Sequence, residues 1–178
     1  CLTDRYFPAY RSSVRRGEHS SVASEAHEGL IREADARLKA GEFSRAEALC
    51  RAVLGTRPTD PTALHLLGVA LHQQGRFSEA IAILDRAVAL TPESAALLSD
   101  RGAALADAGR PSDAARDFYA ARGMGIAGRI FLRNYGRTLW ALGNLRGAEL
   151  LLGSLVHPDW PSPEPFLDLA QVKREAGD

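Results

Sequence analysis

His65 and His72 lie seven positions apart, a spacing that invites a metal-site reading. On a helix seven residues are two turns, about 10 Å along the axis, too far for two imidazoles to share one ion without a third element between them. They are read as exposed polar residues on a helix face, and no metal site is expected. Cys50 falls among apolar residues, where a buried, inert thiol is expected rather than a nucleophile. Asp113 and Asp117 are one helical turn apart, a spacing that solvated helix faces produce constantly, and they are assigned no acid–base role. No CxxC, HExxH or GxxxxGKS/T spacing occurs. No catalytic residue and no cofactor are expected, so the chemistry of this chain is that of a surface.

The surface carries no excess charge. In 178 residues, 22 basic side chains balance 22 acidic ones, which argues against a nucleic-acid coat or an anionic membrane as partner, since both demand surplus Lys and Arg. No apolar run approaches the roughly 18 residues that span a bilayer, and a soluble protein is expected. Cys1 and Cys50 are too few and too far apart for a disulfide framework, which fits a reducing, cytoplasmic compartment. Lys39 and Lys173 are the only lysines, a bias expected of a GC-rich bacterial genome. The chain opens on Cys1 rather than Met, so a processed product or a fragment is expected.

The elements that present this surface are set by a period. Gly41, Gly75, Gly109, Gly143 and Gly177 are each 34 residues apart; one shared phase has a chance probability of about 2 × 10⁻⁴, so the chain is a repeat array. Five residues after the first four glycines come Ala46, Ala80, Ala114 and Ala148. Seven before each glycine come Ala34, Gly68, Gly102, Gly136 and Ala170, and eleven before come Leu30, Leu64, Leu98, Leu132 and Phe166. Small residues at two fixed places let helices approach closely while a large one fills the space beside the contact. Leu64, Leu67, Gly68 and Leu71 follow the i, i+3, i+4, i+7 rule of a first helix, A. Gly75 supplies a left-handed turn. A second helix, B, then runs from about Ser78 until Pro92 ends it, at Thr91 or just before.

Leu64, Leu67, Gly68, Leu71, Gly75, Phe77, Ala80, Leu84, Ala87 and Pro92 stand where the tetratricopeptide repeat pattern places them, and residues 61–94 resemble that family closely. Residues 27–60 form another copy, with Leu30, Ala34, Gly41, Phe43, Ala46 and Pro58. Residues 95–128 form a third and 129–162 a fourth. Residues 163–178 carry helix A of a fifth copy or a capping helix, and the in-phase Gly177 points to a chain that continues past Asp178. The resemblance implies an all-α fold, an α-solenoid of tandem 34-residue helix-turn-helix repeats in a right-handed superhelix. Pro111 replaces an aromatic but is tolerated at a helix start. Residues 122–128 lack the closing proline, so a looser or differently angled joint to the fourth copy is expected.

Residues 1–26 lie outside the repeats. Ser12, Ser13, Gly17, Ser20, Ser21 and Ser24 read as a linker. Tyr6, Phe7, Pro8 and Tyr10 form an aromatic cluster without helical period, expected either as a disordered remnant or as rings docked on the solenoid.

The resemblance also assigns the binding face. Residues one step on from the buried stripe of helix A are rotated by about 100°, and in the family they line the concave wall. Here they are Ile31, Asp35 and Leu38; His65, Val69, His72 and Gln73; Ser99, Ala103 and Ala106; and Arg133, Arg137 and Trp140. The small residues leave room for a peptide backbone, and Arg133, Arg137 and Trp140 are read as holders of an acidic or aromatic anchor. The Lys and Asn clamp and the asparagine ladder of some members do not transfer: at the ladder position stand Arg32, Leu66, Asp100, Asn134 and Asp168. The expectation is a monomeric binding module for a protein or peptide, without catalysis. The alternative is the substrate-recruiting arm of a bacterial glycosyltransferase or sulfotransferase whose catalytic domain lies beyond residue 178.

Overall fold

A computed structural model describes residues 8–156 and 164–177, with side chains described for 24–156 and 165–177. The helices run in the order α1 (Pro8–Lys39), α2 (Phe43–Thr56), α3 (Pro61–Gln73), α4 (Phe77–Leu90), α5 (Ala95–Asp107), α6 (Pro111–Gly123), α7 (Arg129–Ala141), α8 (Leu145–Gly153) and α9 (Glu164–Ala176). No strand occurs among the described residues. Each odd-numbered helix through α7 forms a hairpin with the next helix, each hairpin stacks on its neighbour, and α9 packs on α8. The architecture is an all-α solenoid of helical repeats.

The periodic glycines make the hairpin turns. Gly41, Gly75, Gly109 and Gly143 adopt φ of 75° to 76°, where a Cβ would be strained. Beside Gly75, the Arg76 N–H reaches back to Leu71 O at 3.0 Å and the Gly75 N–H to His72 O at 2.9 Å, the paired bonds that satisfy the last carbonyls of a helix. Arg110 and Asn144 repeat the longer bond to Leu105 and Leu139. At the start of α3, Asp60 Oδ1 accepts from the Ala63 N–H at 2.8 Å and Pro61 takes the first helical position, where a missing N–H leaves nothing unpaired.

The other periodic positions set the helix crossings. Ala46, Ala80, Ala114 and Ala148 are fully buried. A Cβ on Gly68 would stand 2.5 Å from Leu84 Cγ, one on Gly102 3.0 Å from Phe118 Cε1, and one on Gly136 2.8 Å from Leu152 Cγ. The A helices α3, α5 and α7 thus each rest directly on a large residue of their own B helix. Phe118 also carries the core across to the fourth repeat, with ring centroids 5.7 Å from Phe131 and 5.6 Å from Tyr135. Cys50 is buried, and burial, with Asp60 and Glu47 nearby, pushes its thiol up to about 12.

The structure departs from the sequence expectations in several places. Residues 8–26, expected as a linker, are helical and continuous with the first A helix; after Pro8 no further proline interrupts them, and Ala, Arg and Glu sustain a helix that the serines weaken only slightly. The residues at the periodic large and small positions of α9, Phe166 and Ala170, are exposed rather than packed. Asp117, expected on a solvated face, is buried and held by Arg101 Nε and Nη2, both at 2.7 Å. Tyr6, Phe7 and residues 157–163, with Pro158, Trp160 and Pro161, lie outside the described residues.

Candidate functional site

The A helices α1, α3, α5 and α7 carry the stripe that the sequence assigns to the groove wall. In the first copy Ile31 and Leu38 are half-buried and Asp35 accepts from Lys39 Nζ at 2.5 Å along its own helix. In the second, His65 and His72 are not loose surface residues. His65 Nε2 lies 2.6 Å from Asp100 Oδ2 and His72 Nε2 lies 2.7 Å from Asp107 Oδ2, and each acid stands on the following A helix. The His72 ring also packs on Phe77, centroid to centroid 5.7 Å. Val69 is half-buried and Gln73 exposed. In the third copy the structure buries Ser99 and Ala103, leaving Ala106 half-exposed.

In the fourth copy the expected basic and aromatic trio divides. Arg133 Nε donates to Asp168 Oδ2 at 2.7 Å, and the Trp140 indole N–H donates to Glu175 Oε2 at 2.6 Å. The indole bond, aided by Gln171, holds the Glu175 carboxyl below its ordinary range. Arg137 is exposed and forms no hydrogen bond or ion pair among the described residues. It borders a cavity of about 510 Å³ between α5 and α7, whose lining includes Ala103, Ala106 and Asp107 from α5 and Asn134, Arg137 and Trp140 from α7. A second cavity, of about 680 Å³, is lined by Ser99 and Asp100 of α5 and by Phe131 and Arg133 of α7, together with Ile126, Leu155 and Pro165. Their walls supply close apolar contact, room for a main chain and a guanidinium. Among the described residues no three His, Cys, Asp or Glu side chains converge as metal ligands.

Sequence reasoning missed the acids. Asp100, Asp107, Asp168 and Glu175 each sit 35 residues after their donor, one more than the repeat length, and a search for polar pairs at that offset would have found them. At the two asparagine-ladder positions that are acidic here, Asp100 and Asp168, the carboxylate receives the side chain from the helix before.

A family model for the tetratricopeptide repeat matches residues 31–95 and 99–163, stretches that begin two glycine periods apart. The chain belongs to the tetratricopeptide repeat family. No curated protein matches it. Solved tetratricopeptide repeat structures share its shape. An O-GlcNAc transferase mutant of Thermobaculum terrenum is 25% identical with a TM-score of 0.68, over 72% of this chain and 25% of that one. The present chain therefore spans a quarter of the transferase. A MamA mutant is 16% identical with a TM-score of 0.73, over 87% and 90% of the two chains. YrrB, described as a TPR protein with an unusual peptide-binding site, is 18% identical with a TM-score of 0.68, over 83% and 76%. At these identities MamA and YrrB show the fold alone. Among the described residues no helix of this tetratricopeptide repeat chain is long and apolar enough to cross a membrane.

Proposed function

We propose that this chain is a protein-interaction module that receives an extended peptide or a helix of a partner protein along its concave groove and performs no chemistry of its own. The observation that carries the reading is the cavity of about 510 Å³ between α5 and α7, lined by the expected groove residues Ala103, Ala106, Arg137 and Trp140. A pocket of that size suits one or two side chains of a bound segment. YrrB, which shares the fold, is named for a peptide-binding site. A monomer acting in the cytoplasm, on protein rather than nucleic acid, fits the zero net charge and the free thiol of Cys50.

Panning a random displayed 12-residue peptide library on the chain tests this. Enriched peptides are expected to lose binding to Ala106→Trp, which fills the cavity. Peptides that bind the variant as well as the parent would place the site elsewhere.

The likeness to the O-GlcNAc transferase, over only a quarter of that chain, supports a second reading, in which these repeats recruit substrate for a catalytic domain of the same polypeptide. Sequencing the coding region on both sides of the segment decides it: a transferase domain in frame supports the recruiting arm, and its absence removes it.

A further inference from the structure

The concave wall is latched in an alternating pattern. Between α3 and α5, two cross-helix bonds, His65 to Asp100 and His72 to Asp107, close the wall. Between α7 and α9 the same two register positions are closed again, by Arg133 to Asp168 and Trp140 to Glu175. Between α5 and α7 those positions hold Ser99 opposite Asn134 and Ala106 opposite Ala141, and no bond joins either pair among the described residues. The same two positions between α1 and α3, Ile31 opposite Leu66 and Leu38 opposite Gln73, also lack a bond among the described residues, but it is along the α5–α7 seam that the cavity of about 510 Å³ opens, and the one of about 680 Å³ reaches its N-terminal end.

The seam also holds the charge left over. Arg133, which the sequence places beside Arg137 as a joint anchor, is engaged by Asp168. Arg137 is the only cation in the lining of the cavity of about 510 Å³, and it has no partner among the described residues. The acid on the facing wall, Asp107, has its Oδ2 drawn to His72 on α3, the side away from α7. The wall of that cavity includes Ala103, Ala106 and Ala141, along with Pro111, Asn134, Thr138 and Trp140. A guanidinium at the edge of an apolar pocket is met best by a carboxylate, which it binds through two parallel N–H bonds, and solvent screening weakens there as the pocket fills. Building on the groove reading above, we infer that the occupant of the α5–α7 seam is an acidic peptide segment, whose Asp or Glu side chain pairs with Arg137 while a small or aliphatic neighbour enters the cavity.

The library selection separates this inference from the reading beneath it. Peptides enriched on the parent chain are expected to carry Asp or Glu well above the input frequency. The same selection on Arg137→Glu is expected to turn toward Lys and Arg. For the strongest synthetic peptide, Glu→Gln at the enriched position, or Arg137→Gln in the protein, is expected to weaken Kd at least tenfold by calorimetry, with circular dichroism confirming that both variants keep the parent helicity. Enriched peptides with acid content equal to the input, or recovered unchanged on Arg137→Glu, would overturn the acidic-anchor inference and leave groove binding standing. No enrichment over bare support on the parent chain would overturn both.

Discussion

His65 Nε2 lies 2.6 Å from Asp100 Oδ2, 35 residues further along the chain, and two repeats later Arg133 and Asp168 make the equivalent contact at 2.7 Å. One register position therefore stitches two junctions of the solenoid, while its counterpart between α5 and α7, Ser99 opposite Asn134, stitches none. Replacing His65→Ser with Asp100→Asn gives the α3–α5 junction the residue types of the open seam. Both partners are partly exposed, so global stability is expected to fall by only about 0.2 to 1 kcal/mol. Amide hydrogen exchange is expected to rise in α3 and α5 and to stay unchanged in α7 and α9. Uniform exchange across the four helices would show that the polar pairs do not order the wall.

Gly68 rests on Leu84, with no room for a Cβ. Gly68→Leu is expected to destabilise the fold by about 1 to 3 kcal/mol through overpacking. Gly55, in α2, faces nothing within 4 Å, and Gly55→Ala is expected to gain up to about 1 kcal/mol from helix propensity. Urea unfolding of the two variants checks the contrast, and a neutral Gly68→Leu would break the assigned helix register.

Arg101 joins α5 to α6 through the two bonds to Asp117 and reaches Asp85 on α4 at 2.9 Å. The hydrogen bond to Asp117 leads the effects that raise the guanidinium above its ordinary value, against the opposing pull of burial. Arg101→Met leaves the buried Asp117 without its partner and is expected to lose on the order of 1 to 3 kcal/mol. Adding Asp117→Leu is expected to restore much of that loss, because an apolar pair leaves nothing buried and unpaired. Thermal unfolding of the single and double variants measures the coupling.

The two arginines of α7 are expected to respond differently to charge reversal. Arg133→Glu sets one carboxylate against another at Asp168 and is expected to loosen α9, seen as faster exchange there and a lower melting temperature. Arg137 pairs with no acid among the described residues, and Arg137→Glu is expected to shift stability by less than about 0.5 kcal/mol. Equal melting temperatures for the two would contradict the Arg133–Asp168 pairing.

Asp60 caps α3 and meets His27 Nε2 at 2.9 Å. Burial pushes its carboxyl upward, but the Ala63 N–H and His27 together hold it below the ordinary 3.8. A carboxyl lowered on folding adds stability above its unfolded value and loses that contribution as pH falls through the folded one. The stability gap between the parent and Asp60→Asn is therefore expected to be full at about pH 6 and to shrink once pH drops below 3.8. Urea denaturation at a series of pH values checks this, and a gap independent of pH would remove the ionised cap.

What the sequence by itself determined is whatever repeats within one hairpin. The turns at Gly41, Gly75, Gly109 and Gly143, the crossings at Gly68, Gly102 and Gly136, the buried Cys50 and the helix start at Pro111 are local, because residues less than one period apart meet in the order the chain supplies them. The helical course of residues 8–26 escaped notice because serine-rich composition was weighed above the lack of any breaker. Only the tertiary structure decided the contacts between successive A helices. Which side chains of the assigned stripe are spoken for depends on how one A helix packs on the next, and that packing brings residues 35 apart, not 34, into contact. His65, His72, Arg133 and Trp140 are thereby engaged within the chain, while Arg137, one turn from two of them, is left facing the opening.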